Sequence, residues 1–274
     1  MANTALSAFF RRYLMQLAMS VFKWTMPETW DADYFRAVLY CYGYIAVFDT
    51  AKFGVIPQQC GLGGYNIFYR PTTALIANPL LDTRDLEIGK DCVVIRFQPD
   101  YRGILDLVSY YGNMMALTAE TAGINILNSK FSYVFVAGNK SAAESLKKLY
   151  DQLASGNPMA VYDKNLNKQD GTRPWEMFTQ NLRENYIAAD LFADLIKLEN
   201  QFKSIVGIPN SNTEKRERLI TSEVESNDVS TGSRAAQWLE RLQDGCARAR
   251  DMFGIDLSVD WRVKPDVVEE VTPE

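Results

Sequence analysis

The chain of 274 residues contains no histidine. That absence excludes a Ser–His–Asp triad, a Cys–His dyad and any imidazole metal site. Acid–base chemistry would fall to carboxylates, lysine, tyrosine or cysteine. Cysteine is sparse as well. Cys41, Cys60, Cys92 and Cys246 form no C-x-x-C pair, and their spacing fits neither a zinc ribbon nor a disulfide framework. Buried, reduced thiols of a cytosolic chain are expected, with no metal and no cofactor. Long apolar runs are missing too. A membrane span needs about 20 apolar residues, and the best window, Tyr13–Phe22, is bounded by Arg12 and Lys23. With no export signal or anchor, the protein is expected to stay where it is made. A net charge of −5 argues against coating nucleic acid through charge alone.

The rest has an ordinary globular composition, 47% hydrophobic and 23% charged, with material for one large or two modest domains. Leu6, Phe9, Phe10, Tyr13, Leu14, Leu17, Val21 and Trp24 recur at steps of three and four, which predicts a helix over 4–24. Asp31 can cap a second helix ending near Tyr42. Tyr44–Phe48, Tyr65–Arg70, Ala74–Ala77 and Cys92–Gln98 read as short strands of a small barrel or sandwich. Tyr101–Ile126 is helical and apolar nearly all round, with only Arg102, Asp106 and Glu120 charged. Such a helix must be covered on every side, either deep in a core or wedged between subunits.

Phe131–Ala137, a helix at Ala142–Ala154 and Met159–Tyr162 read as a β–α–β unit, with Ser141 and Glu144 forming a capping box. Pro174–Val206 is expected as one long helix, with Leu191, Leu195, Leu198, Phe202 and Ile205 as its seam and Gly207 as its stop. Residues 210–231 carry no apolar period and read as a long loop. A helix from Ser233 presents Leu239, Leu242, Cys246, Ala249 and Phe253, is capped by Gly254, and leads into a strand that alternates from Ile255 to Val263. The acidic tail from Lys264 is expected to fray.

Few residues suggest chemistry. Gly61-Leu62-Gly63-Gly64 lacks the Gly-Lys-Ser/Thr of a phosphate loop and is expected to be a turn. Glu223 and Glu225 are paired carboxylates without a pocket pattern. Lys215-Arg216-Glu217-Arg218 forms a charged cluster within the long loop.

The run Gly207-Ile208-Pro209-Asn210-Ser211-Asn212-Thr213-Glu214-Lys215-Arg216-Glu217-Arg218-Leu219, continuing into Thr221-Ser222-Glu223-Val224-Glu225-Ser226-Asn227-Asp228, resembles the portal family of phi29-like bacteriophages, also called connector or upper collar proteins. Trp24, Gly43-Tyr44, Val93-Val94-Ile95 and Asn157-Pro158 fall in the matching order. The resemblance implies an α+β portal fold and a dodecameric ring in the virion, at one capsid vertex, assembled in the host cytoplasm. It would be a non-enzymatic conduit for double-stranded DNA during packaging and ejection.

The divisions it implies are N-terminal helices (1–43), an SH3-like barrel wing (44–99, completed by 255–263), a channel helix (100–128) and an α/β clip (129–173). A second channel helix (174–207), a tunnel loop (208–232), a wing or crown-side helix (233–254) and a flexible tail (264–274) follow. Its implied partners are further copies of the chain, the DNA, the major capsid and scaffold proteins, a packaging ATPase and a lower collar or tail protein.

Tunnel-loop contacts carried over are Asn212, Lys215, Arg216, Arg218, Glu223 and Glu225. Channel-helix charges are Asp190, Asp194, Lys197 and Lys203, the two lysines standing near the family's lysine rings but not aligned with them. Lys140, Lys147, Lys148, Lys164 and Lys168 would face the motor or tail. Relatives carry a basic N-terminal arm that contacts a packaging RNA; here only Arg11 and Arg12 precede Lys23, so the sequence does not support that partner. Two rival readings remain: a non-portal adaptor, which requires 101–126 to be covered within one chain, and a carboxylate hydrolase using Glu223 and Glu225.

Overall fold

The computed structural model of the chain describes residues 4–81, 84–129, 133–138, 140–154, 175–179, 186–208 and 221–263. They divide into two units, Met1–Leu117 with Leu195–Glu274, and Thr118–Asp194.

The first unit opens with helix α1 (Thr4–Met19), which buries Ser7, Phe10, Leu14 and Ala18. The expected helix to residue 24 stops early. Phe22–Thr25 is strand β1, in which Phe22 and Trp24 point inward while Lys23 and Thr25 face water. The apolar positions near this end satisfy both a helical and an alternating pattern, and pairing with a distant strand decides between them. Helix α2 (Ala32–Tyr42) is capped as expected: Asp31 Oδ1 accepts the Asp33 and Tyr34 N–H groups.

Six short strands follow: β2 (Tyr44–Thr50), β3 (Gly54–Gln58), β4 (Gly61–Tyr65), β5 (Pro71–Ile76), β6 (Arg84–Glu87) and β7 (Cys92–Arg96). They form two antiparallel three-stranded sheets, β3-β2-β7 and β4-β5-β6. Ala46, Phe48, Val94, Ala74, Ile76 and Leu86, with Cys60 and Cys92, share one core between them. Among the described residues there is no closed barrel, which corrects the barrel expected there and leaves the sandwich alternative. The glycine run is not a turn but strand β4, with Gly61 opposite Leu75 and Gly63 opposite Thr73. The turn lies instead at Asn66–Arg70, where a strand was expected; Asn66 Oδ1 accepts the Phe68 and Arg70 N–H groups at 2.9 and 3.1 Å.

Gly43 and Gly103 let the chain cross itself. A Cβ at Gly103 would overlap the carbonyl oxygens of Tyr40 and Cys41, and one at Gly43 would overlap the backbone of Arg102. Through this crossing Ile104 N–H donates to Tyr40 O at 2.9 Å and Phe97 N–H to Gly43 O at 2.7 Å. Helix α3 (Leu105–Ser129) begins directly after it.

In the second unit, β8 (Tyr133–Ala137) pairs antiparallel with β9 (Trp175–Thr179), and helix α4 (Lys140–Ala154) lies between them in sequence. Lys140 already belongs to the helix, so Ser141 sits inside it rather than at its cap. The strand expected at Met159–Tyr162 lies outside the described residues. The helix expected from Pro174 is corrected as well: 175–179 is β9, and helix α5 spans only Ala188–Val206. Trp-Glu-Met-Phe-Thr has strand-forming residues but too few of them for a period to separate the two states.

Gly207 ends α5 at φ +84, and Ile208 N–H reaches back to Lys203 O at 2.9 Å. Helix α6 (Thr221–Phe253) starts well before Ser233, so 221–232, expected as loop, is helical. That segment has no proline, and its one glycine is Gly232. It also lacks an apolar stripe, so no period marks it. Farther along, Leu239, Leu242, Cys246 and Ala249 are buried as the period predicts. Gly245 lets α6 sit against β7, where a Cβ would lie 3.0 Å from Ile95 Cγ2. Trp238 packs on Phe97 with ring centroids 4.8 Å apart. Strand β10 (Ser258–Trp261) alternates as predicted, but it pairs with β1, Phe22 opposite Trp261, and not with the expected barrel strands.

Candidate functional site

Helix α3 is the feature with the least ordinary environment. In the first unit its inner side, Val108, Tyr111, Met115 and Ala116, is buried. There α1 lies close against it. The Ser7 hydroxyl donates to Asn113 Oδ1, and a Cβ on Gly112 would lie 2.6 Å from Arg11 Cγ. Tyr111 also meets Phe202 of α5 edge-on, at 5.7 Å between centroids. Yet Leu105 is 45% and Tyr110 60% exposed, and Ile196 of α5 is 52% exposed. In the second unit Ile124, Leu127 and Phe192 are exposed too. Among the described residues, therefore, one chain covers only part of α3, whereas the adaptor reading expects it to be buried within one chain.

Polar contacts tie α1 to α5. Tyr13 Oη donates to Glu199 Oε1 at 2.8 Å, and Lys203 Nζ lies 2.6 Å from the same oxygen. Burial, and then the bond and charge of Glu199, push the Tyr13 phenol up to about 12. Lys203 is thus half-buried and ion-paired with Glu199.

The other predicted site residues fall as follows. Asp190, Asp194 and Lys197 are exposed on α5, and Lys140, Lys147 and Lys148 on α4. Asn212, Lys215, Arg216, Arg218, Lys164 and Lys168 lie outside the described residues. Glu223 and Glu225 stand two positions apart in α6, a spacing that does not bring positions to one helix face.

All four cysteines are free thiols, with Cys60, Cys92 and Cys246 buried and Cys41 half-buried. Burial pushes the three buried thiols up to about 12. Among the described residues no group of three or more Cys, Asp or Glu side chains could hold a metal ion, and no helix is long and apolar enough to cross a membrane.

A further feature escaped the sequence reading. A surface cleft of about 440 Å³ in the first unit is lined by Tyr65, Tyr69, Tyr101, Arg70, Arg96 and Arg241, with Asp100 at its wall. Its arginines come from a turn, a strand and a helix far apart in sequence, so no spacing could have revealed it.

Residues 2–266 match the family model described as Phage Connector (GP10). Among solved structures, a chain of the portal and tail of native bacteriophage P68 is 16% identical, with 95% of this chain and 88% of that chain covered and a TM-score of 0.50. An HK97 family phage portal protein from Corynebacterium diphtheriae is 10% identical over 100% of both chains, with a TM-score of 0.42. A chain of the virion of a native gene transfer agent particle is 10% identical, covering 96% of this chain and 81% of its own, with a TM-score of 0.40. The first of these shares the mixed helix-and-sheet fold described above. By the match that spans nearly its whole length, this chain belongs to the phage connector family, the portal proteins of the capsid vertex.

Proposed function

We propose that copies of this chain close into a ring, a dodecamer, at one vertex of the virion, and that double-stranded DNA passes through it during packaging and ejection. The observation that carries the ring is the uncovered apolar surface of α3 and α5, with Tyr110 60% and Ile196 52% exposed. A neighbouring copy would remove that surface from water. Ring closure repeats each charged residue once per subunit, so sparse cations suffice for weak, sequence-independent phosphate contacts. Lys215, Arg216 and Arg218, with Asn212, are assigned to a DNA-facing segment after α5. The carboxylates Glu223, Glu225, Asp190 and Asp194 keep the duplex sliding by repelling it, and Lys197 adds a light cationic contact.

The remaining assignments follow the same division. The segment 129–173, with Lys140, Lys147, Lys148, Lys164 and Lys168, faces a packaging ATPase before filling and a lower collar or tail protein afterwards. Capsid and scaffold proteins hold the wing. The sequence has no phosphate-loop motif of its own, and ATP hydrolysis is assigned to the separate motor. Assembly takes place in the host cytoplasm.

Native mass measurement with electron microscopy tests the ring. Rings are expected for the unaltered chain, and Leu105→Glu with Tyr110→Glu should give monomers of unchanged helix content. A stable monomer of the unaltered chain at micromolar concentration in moderate salt would overturn the reading.

A further inference from the structure

We propose that the arginine- and tyrosine-lined cleft of the first unit is a docking site for an acidic peptide segment of a protein partner, one with aliphatic side chains beside its carboxylates. The proposal goes beyond ring assembly, since its occupant is a segment of a different protein and not a second copy of this chain.

The first support is charge. Arg70, Arg96 and Arg241 converge on one cleft, and among the described residues none of them forms a salt bridge. Arg96 Nη1 donates to Pro99 O at 3.4 Å and Arg241 Nη1 to Gln237 O at 3.3 Å. A guanidinium has five N–H donors, so most remain for a ligand. The one carboxylate in the wall, Asp100, accepts the Arg102 N–H at 3.1 Å. Three cations against one anion in a chain of net charge −5 make a local positive site.

The second support is the backbone. Tyr69 (φ 55) and Tyr101 (φ 60) are the non-glycine residues at positive φ among the described residues, and both line this cleft. Such conformations cost free energy and concentrate at functional sites. The Arg96 guanidinium stacks on the Tyr101 ring, 5.0 Å from its centroid, which fixes its plane and leaves its N–H edge open. The Asn66–Arg70 turn is braced by the two N–H bonds to Asn66 Oδ1, so the wall is ordered before a ligand arrives.

The third support selects the occupant. The same turn exposes Ile67 by 87% and Phe68 by 74%. A duplex presents such side chains with its sugar–phosphate backbone, which gives them nothing to pack against, whereas an acidic peptide with aliphatic residues covers them while its carboxylates meet the arginines. Tyrosine and arginine are also the residues that dominate protein contact centres. The lining has no lysine and no extended cationic track, unlike a groove that follows single-stranded nucleic acid.

The test is fluorescence anisotropy on the full chain with three probes: a labelled synthetic peptide alternating glutamate with leucine, its glutamine counterpart, and labelled oligodeoxythymidine of similar length. The glutamate peptide should bind, and the glutamine peptide should bind roughly tenfold more weakly or less. Arg70→Glu, on an exposed turn, should weaken the glutamate peptide about tenfold, and Ile67→Ser with Phe68→Ser should weaken it further; circular dichroism checks that each variant is folded. No binding of the glutamate peptide, equal binding of both peptides, an unchanged affinity in folded Arg70→Glu, or displacement by oligodeoxythymidine would each overturn the proposal. Native mass on the same sample keeps the two readings apart. Peptide binding by a chain that stays monomeric refutes the ring and leaves the cleft, and rings without peptide binding do the reverse.

Discussion

The phenol of Tyr13 and the ammonium of Lys203 meet on a single oxygen, Glu199 Oε1, at 2.8 and 2.6 Å. This links two segments nearly two hundred residues apart in sequence. It also gives the Tyr13 ionisation a stability consequence. The folded phenol is raised from 10.0 to about 12, so the folded state keeps its proton where the unfolded state loses it. The stabilisation is complete below pH 10 and disappears as pH rises toward 12. Tyr13→Phe should therefore flatten the alkaline fall in stability over that window. Difference titration of tyrosinate absorbance should show Glu199→Gln lowering the Tyr13 pKa but leaving it above 10, because burial is the larger cause.

Alanine should act oppositely at two glycines close in the sequence. At Gly103 the added methyl meets the carbonyl oxygens of Tyr40 and Cys41, and backbone cannot swing away as a side chain would. Gly103→Ala should cost roughly 3 kcal/mol, and it should break the Ile104–Tyr40 bond. At Gly123 in α3 nothing lies within 4 Å of the added Cβ. Gly123→Ala should stabilise by about 0.5–1 kcal/mol through helix propensity. Urea midpoints of the two variants check both signs, and a neutral Gly103→Ala would show that the crossing relaxes.

Alkylation should separate the cysteines. Cys41 is half-buried, whereas Cys60, Cys92 and Cys246 are buried with thiols near 12. At mildly alkaline pH mass spectrometry should find Cys41 modified first and the other three only on unfolding. Labelling of Cys246 as fast as Cys41 would mean that α6 opens away from β7.

The charged segment after α5 is tested by removing it. Deleting Lys215–Ser222 should leave rings intact but impair the retention of packaged DNA, read as nuclease-sensitive genome leaking from filled particles. Retention equal to that of the unaltered chain would remove these residues from the conduit.

What the sequence disclosed follows from the range of the forces involved. Caps at Asp31, Gly207 and Gly254 are local, and each is found where it was read. The buried face of α6 follows from a clean period over many turns. The alternation of β10 was equally plain, but its partner was not, because pairing with β1 depends on residues far away in the chain. Segments 175–179 and 221–232 fail for opposite reasons: the first is too short for a period to choose a state, and the second has no apolar stripe to show one. The family-defining run after Gly207 was legible as a pattern of residues. The cleft was not, because only the folded first unit brings Arg70, Arg96 and Arg241 together.

The pairing of β1 with β10 also sets a timetable. Phe22 meets Trp261, and Arg262 donates from Nε to Ser20 O at 2.9 Å, so the earliest strand waits for the last. During synthesis the first unit cannot close until nearly the whole described chain has left the ribosome, whereas β8 and β9, the described strands of Thr118–Asp194, pair with each other within that segment. Chains broken off before residue 258 lack the strand that completes the fold, and such fragments would be left out of any assembly that selects for a finished subunit.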